Sequence, residues 1–199
     1  MIVVLIALLL SFQTSPVTIQ SVSSNLQKKF GYKKEQRFLL VNIEKQEMYL
    51  VKNDSVEKTY RISSSKSGIG NKQGSGKTPL GVHRIAEKFG KTAKPNTIFV
   101  GRKDTGKVAT VIKDSIDTAE DHVTSRILWL TGLENGINKG KGIDSHSRYI
   151  YIHGTPEEGL IGTPASHGCI RMYNKDVIEL FDLVSAGMLV VMEERVKNK

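Results

Sequence analysis

Between residues 37 and 193 the chain is broken into short apolar or alternating runs by glycine, proline and polar turn residues. This punctuation constrains the fold more than any other feature. RFLLVNIEKQEMYLV (37–51) alternates and reverses near Glu44–Gln46, as a hairpin does. VEKTYRISS (56–64) reads as a third strand, and further strands are expected at 82–89, 97–103, 107–113, 126–133 and 147–154. One stretch alone has convincing helical spacing. In NKDVIELFDLVSAG (174–187), Asn174 can cap, Val177, Ile178, Phe181 and Val184 share a face, and Gly187 stands where a C-terminal cap belongs. MLVVME (188–193) reads as a last buried strand. Many short strands with one or two short helices predict a mainly β domain, a sandwich or a barrel-like sheet.

At 199 residues the chain is long enough for one domain with a sizeable core. Its beginning has a different character. MIVVLIALLLSF (1–12) is continuously apolar, and the Ser-rich QTSPVTIQSVSSNLQ (13–27) follows it. The run is too short for a spanning helix and matches the apolar segment of a secretory signal. No Lys or Arg precedes it, and no small-x-small cleavage site closes it. Residues 1–27 are therefore read as a signal peptide or an N-terminal membrane anchor. Residues 28–36 are read as a linker, 37–193 as the domain and 194–199 as a tail. The corresponding expectation is export, to the periplasm or cell envelope. The competing reading makes the apolar run a buried element of the fold.

Residues 1–27 carry no charged side chain, so the net charge of +9 falls on the remainder. Such a surface favours acidic partners. Basic residues are not interleaved with aromatics and no nucleic-acid motif is present, so nucleic acid is not expected. An anionic wall polymer suits an exported chain, and a merely soluble basic surface fits equally well. The Gly- and Lys-rich stretch SKSGIGNKQGSGKTPLG (65–81) contains Gly-Lys-Thr, but it is not a phosphate-binding loop. The first glycine of GxxxxGK[ST] would fall at Asn71, and Pro79 follows where a helix should begin.

Chemistry concentrates in SHGCIRM (166–172), which holds Cys169, the single cysteine of the chain. Upstream, YIHGT (151–155) ends an alternating strand, and His153 lies 169 − 153 = 16 residues before Cys169. That spacing lets one strand end, a loop swing out and a second strand begin alongside, bringing thiol and imidazole to adjacent strand ends. A free thiol with a pKa near 8.5 is only slightly ionised at neutral pH, and a neighbouring imidazole that takes its proton makes it a nucleophile. The other ring nitrogen of His153 then needs a partner, and the Gly154 carbonyl is a candidate, since no acidic residue is obviously placed. Gly168 permits a tight turn, with the Gly168 and Cys169 N–H groups as candidate oxyanion donors. Arg171 would share a face with Cys169, to bind a substrate carboxylate or to stabilise the loop.

Three other readings are weaker. A buried core cysteine is poorly served by His167-Gly168 on one side and Arg171 on the other. Zinc held by His153, His167 and Cys169 lacks an evident fourth ligand. Ser166 has no nucleophile elbow and fits a hydrogen bond within the loop.

HGT followed by SHGCIRM resembles the signature of the L,D-transpeptidase catalytic domain (YkuD-type) of bacterial cell-wall enzymes. NKQGSGKTPLGVHRI (71–85) is similar to that family's Lys-Thr-Pro-x-Gly loop. The resemblance extends over roughly residues 37–193. It implies a mainly β catalytic domain, Cys169 as nucleophile, His153 as base and supporting roles for His167, Gly168 and Arg171, which occupy matching motif positions; Arg171, His167 and Ser166 are the residues expected at the substrate. It also implies peptidoglycan stem peptides as partners, and neither metal nor cofactor is expected. The implied reaction joins Cys169 to the stem-peptide diamino acid as a thioester, releases D-alanine and passes the acyl group to an amine. Water as acceptor would make an L,D-carboxypeptidase. A reading from another class is a non-catalytic wall-binding domain, which would have no need of His153, Gly168 and Cys169 together.

Overall fold

In the computed structural model, which describes residues 17–197, a two-residue strand β1 (Val17–Thr18) leads into helix α1 (Ile19–Phe30). Thr18 Oγ1 accepts the Ser21 N–H while Ser21 Oγ accepts the Thr18 N–H, a reciprocal cap. Gly31, at φ 66°, ends the helix in the left-handed region. Ile19, Val22 and Leu26 form its buried face. A domain boundary at residue 27 therefore falls inside a packed helix, and the expected linker at 28–36 begins with that helix's last turn. Polar composition around 20–27 hides the i, i+3, i+7 apolar spacing that drives the packing. The apolar run at 1–12 lies outside the described residues.

Nine strands follow in chain order up to the second helix: β2 (Arg37–Asn42), β3 (Glu47–Lys52), β4 (Ser55–Ser63), β5 (Gly81–Phe89), β6 (Thr97–Val100), β7 (Lys103–Val108), β8 (Val123–Gly132), β9 (Tyr151–Gly154) and β10 (Ile170–Met172). Helix α2 (Asn174–Leu183), β11 (Leu189–Glu193) and β12 (Val196–Lys197) complete the chain. The main sheet runs β5-β11-β2-β3-β4-β10-β9-β8, and β5 also pairs with β8. This closes an eight-stranded barrel among the described residues, from which the β6–β7 hairpin projects. The mainly β, barrel-like expectation holds. Closure removes the exposed edges that an open sheet would carry.

Leu39, Val41, Leu50, Ile152, Ile170 and Met172 point into the barrel, where Val177, Leu180 and Phe181 of α2 also pack. On the outer face, Phe38, Leu40, Tyr49 and Val51 are covered by α1. Strand β2 is thus buried on both sides, which explains why FLLV is continuously apolar rather than alternating. β12 pairs in parallel with β1, so part of the expected C-terminal tail belongs to the fold.

Three local expectations change. The 107–113 segment leaves the sheet after Val108, and residues 109–122 form an irregular loop. Asn174 does not cap α2 with its side chain. It is buried at the first turn, accepting from Thr124 Oγ1 (2.7 Å) and Ser125 Oγ (2.5 Å) and donating to the Thr155 carbonyl (2.7 Å). Helix α2 stops at Leu183, and Gly187 (φ 92°) instead turns the chain into β11, its N–H donating to the Ile85 carbonyl.

Candidate active site

β9 and β10 lie side by side in parallel, with Ile152 opposite Ile170 and His153 opposite Arg171. Ile152, Ile170 and Met172 point into the barrel, so alternation turns Tyr151, His153, Cys169 and Arg171 outward onto one face. The 155–169 connection returns the chain beside the strand it left and delivers Cys169 immediately before β10. His153 is displaced from Cys169 by two residues along the strands, roughly 7 Å at 3.3 Å per residue.

The two groups are not hydrogen-bonded to each other. Cys169 Sγ accepts the Tyr151 N–H at 3.4 Å, and its thiol donates to the Tyr149 carbonyl at 3.4 Å. Burial pushes the thiol up to about 12. The Asp121 charge adds to this, and the Tyr151 N–H, Arg171 and Arg148 oppose it. His153 is buried, and Nδ1 lies 2.7 Å from the Gly154 carbonyl oxygen. A carbonyl only accepts, so Nδ1 carries the hydrogen and Nε2 the lone pair. Burial holds the imidazole below its ordinary value, against the pull of Asp121 and the Gly154 bond. Burial thus favours the neutral thiol and the neutral imidazole over the ion pair expected of groups at adjacent strand ends. The physical reason is desolvation of both groups.

Arg171 is engaged within the protein. Its guanidinium is buried, with Nη1 2.7 Å from Glu157 Oε2 and Nη2 2.6 Å from Asp121 Oδ1. The Asp121 contact is a charge contact without hydrogen-bond alignment. Glu157 also accepts the N–H (2.7 Å) and hydroxyl (2.5 Å) of Thr118. The 109–122 loop is thereby fastened over β9 and β10. Burial raises the Asp121 carboxyl, but His153, Arg171 and His167 outweigh it and hold the group below its ordinary range. His167 is exposed and its Nδ1 meets Asp121 Oδ2 at 2.8 Å.

Ser166 is fully buried and closes the nucleophile loop, its Oγ donating to the Cys169 carbonyl (2.6 Å) and accepting the Gly168 N–H (3.2 Å). This takes Ser166 away from substrate and commits the Gly168 N–H, so Gly168 does not serve as an oxyanion donor in this conformation. What Gly168 supplies is its φ of 130° and a close approach: a Cβ there would sit 3.3 Å from the Lys77 carbonyl oxygen. Gly154 is also sterically required, since a Cβ would lie 2.6 Å from Asn174 Oδ1 and 2.8 Å from the Thr124 carbonyl oxygen.

The Gly/Lys loop forms one wall. Thr78 Oγ1 donates to the Gly168 carbonyl (3.1 Å) and accepts the Ser65 N–H (2.9 Å). Gln73, Gly74, Gly76, Arg148, Tyr149 and His167 line an open cleft of about 400 Å³. A larger cavity of about 550 Å³, between the 32–37 turn and the 183–189 segment, has no site residue in its lining. Tyr149 stacks on Trp129, and Arg102 lies 4.2 Å over the Trp129 ring with Nη1 3.0 Å from Tyr151 Oη. Among the described residues no group of three or more His, Cys, Asp or Glu side chains could hold a metal ion.

Asp121, Glu157 and Arg148 escape the sequence reading. Glu157, four residues after His153 in HGTPEEG, carried a local signal, whereas Asp121 lies in an aperiodic loop that only the fold brings to the site.

The L,D-transpeptidase catalytic domain model (YkuD) matches residues 36–192, and the chain belongs to that family. Two Bacillus subtilis proteins with L,D-transpeptidase names are similar over shorter segments. YkuD is 54% identical over 41 residues, 21% of this chain and 25% of that protein. YqjB is 41% identical over 54 residues, 27% of this chain and 30% of that protein. The matched segments thus span less than a third of these relatives. Among solved structures, an L,D-transpeptidase from Mycobacterium smegmatis has a TM-score of 0.46 at 17% identity, covering 79% of this chain and 58% of that one. The catalytic domain of the E. faecium L,D-transpeptidase has a TM-score of 0.47 at 21% identity, covering 80% and 98%.

Proposed function

We propose that this protein is an exported peptidoglycan L,D-transpeptidase with Cys169 as nucleophile and His153 as the proton carrier. Sγ attacks the carbonyl of the stem-peptide diamino acid while His153 Nε2 takes the thiol proton. The C–N bond to the terminal D-alanine then breaks, and the proton passes to the departing amine. This leaves a thioester, which an incoming amine opens as its own proton goes to His153, restoring the thiol. Because the resting thiol is protonated, attack and proton transfer are coupled. Rotation of the Cys169 side chain away from Tyr149 toward substrate is the movement that this step requires.

The observation that carries the reading is the placement of Cys169 and His153 on one outward face of the parallel β9–β10 pair. There the imidazole is held as the Nδ1–H tautomer by the Gly154 carbonyl, and Tyr149, whose carbonyl accepts the thiol hydrogen, lines an open cleft. The test is incubation with a tetrapeptide donor and an amine acceptor, followed by mass spectrometry of the products. Free D-alanine together with a donor–acceptor conjugate is expected from the parent and neither from Cys169→Ser. Release of D-alanine without a conjugate assigns a carboxypeptidase, and no release with retained binding assigns a wall-binding domain.

A further inference from the structure

Two guanidinium groups act on the Cys169 sulfur, and they differ in how their charge is met. Arg171 is enclosed by Glu157 and Asp121. Arg148 has no carboxylate oxygen within 4.0 Å among the described residues. It spends two of its five donors on backbone carbonyls, Nη1 on Gly70 at 3.2 Å and Nη2 on Lys77 at 2.5 Å. Neutral carbonyls orient the planar fork but leave its charge uncompensated.

The position of this charge is specific. The Lys77 carbonyl that Arg148 holds is the same oxygen that approaches Gly168, the residue before the nucleophile. Arg148 is half-buried and lines the open cleft with Tyr149 and His167, and the Tyr149 carbonyl next to it in the chain receives the thiol hydrogen. Two neighbouring basic side chains already meet carboxylates, His167 at Asp121 and Lys66 at Asp117. Arg102 is stacked on Trp129 and donates to Tyr151. Burial depresses the basicity of Arg148, so its guanidinium has lost hydration that an incoming anion would replace.

We propose that Arg148 is a specificity-determining residue that receives the free carboxylate of the donor peptide, carried by the residue just beyond the scissile C–N bond. The inference rests on the L,D-transpeptidase reading, which puts a C-terminal amino acid in the leaving position. Arg148 holds this carboxylate through the edge of its fork that the Gly70 and Lys77 carbonyls leave open. An oriented fork suits a planar carboxylate better than the point charge of a lysine on the 65–81 loop does. The site therefore requires a donor with an ionised terminus and discriminates against a capped one.

The experiment uses the full chain and one tetrapeptide in two forms, with a C-terminal carboxylate and with a C-terminal carboxamide. Release of the terminal residue is followed by mass spectrometry, and binding is measured by calorimetry in the Cys169→Ser background. The parent is expected to favour the carboxylate form at least about tenfold in kcat/KM and in affinity, the scale of a charge-assisted contact in a partly buried site. Arg148→Gln should reduce that preference below about threefold, and Arg148→Lys should retain an intermediate preference. An equal loss for both donors in both variants would assign Arg148 to clamping the loop and overturn the inference, as would an unchanged preference in Arg148→Gln. Binding separates the two readings. If the parent turns over neither donor yet Cys169→Ser binds the carboxylate form in an Arg148-dependent way, the transpeptidase reading fails and the anion site stands. If binding does not distinguish the donors, the anion site fails whatever the turnover.

Discussion

Arg171 Nη1 and Glu157 Oε2 meet at 2.7 Å with both side chains about 1% exposed. The pair joins β10 to the chain just after His153, and through Thr118 it fastens the 109–122 loop across the site. Such a pair contributes little against a well-packed apolar replacement, but breaking it strands a buried charge.

Removing one partner is expected to cost about 3–5 kcal/mol of stability, the range for an orphaned buried ion. Glu157→Ala and Arg171→Ala should both lower the urea midpoint substantially, and Glu157→Ala should also loosen residues 109–122 to hydrogen exchange. A substrate-binding Arg171 would behave differently. Its alanine variant would raise KM with the urea midpoint unchanged, and that result would return Arg171 to the substrate.

The second prediction concerns protonation of the Cys169–His153 pair. A thiol raised to about 12 has a thiolate fraction that grows about tenfold per pH unit well past neutrality. The iodoacetamide rate at Cys169 should therefore still be climbing above pH 9. Because the groups share no hydrogen bond at rest, His153→Ala should barely move that curve. Turnover needs neutral His153, whose pKa is lowered, so the acidic limb of the activity profile should lie below pH 6.5. A plateau in alkylation below pH 8 that is abolished by His153→Ala would mean that the ion pair exists at rest.

The legible and illegible parts of this site divide along physical lines. His153 and Cys169 could be read because period-2 alternation puts Tyr151 and His153 on one face while Ile150 and Ile152 fill the barrel. The ion pairing of Arg171 was not legible because its partner Asp121 is 50 residues upstream in a loop with no periodicity. Asn174 resembled a cap because nothing local reveals that Thr124 and Ser125 compete for its side chain. Helix α1 was masked by serine and glutamine, yet the unbroken FLLV of β2 already required a cover on each side of the sheet.

A third prediction comes from His83, fully buried away from Cys169. Its Nδ1 donates to the Gly81 carbonyl (3.0 Å) and its Nε2 accepts from Ser145 Oγ (2.9 Å), which ties the loop bearing Arg148 and Tyr149 to β5. Burial lowers its pKa to about 4. The unfolded chain thus takes up the proton first. The His83 contribution is complete above pH 6.5 and declines as pH falls from 6.5 to about 4. The loss across that window is about 3 kcal/mol, at 1.36 kcal/mol per pKa unit. His83→Gln should flatten the difference in urea stability between pH 7 and pH 4 by an amount of that order. An equal pH slope in parent and variant would show that the ring is protonated, or hydrated, in the folded state.

The last prediction tests whether α1 belongs to the folded domain. Leu26 is fully excluded from solvent and packs in the cluster that contains Phe38, Leu40, Tyr49 and Val51. Leu26→Ala should cost about 2–5 kcal/mol, the usual range for a leucine deleted from a packed core. The exposed neighbour Gln27 supplies the control, since Gln27→Ala should stay within about 0.5 kcal/mol. Both are read from urea unfolding of the full chain. Deleting residues 17–30 should uncover a contiguous apolar patch on β2 and β3 and produce dye binding and self-association. If Leu26→Ala is as silent as Gln27→Ala, the segment is a detachable leader and the outer face of β2 must find its cover elsewhere.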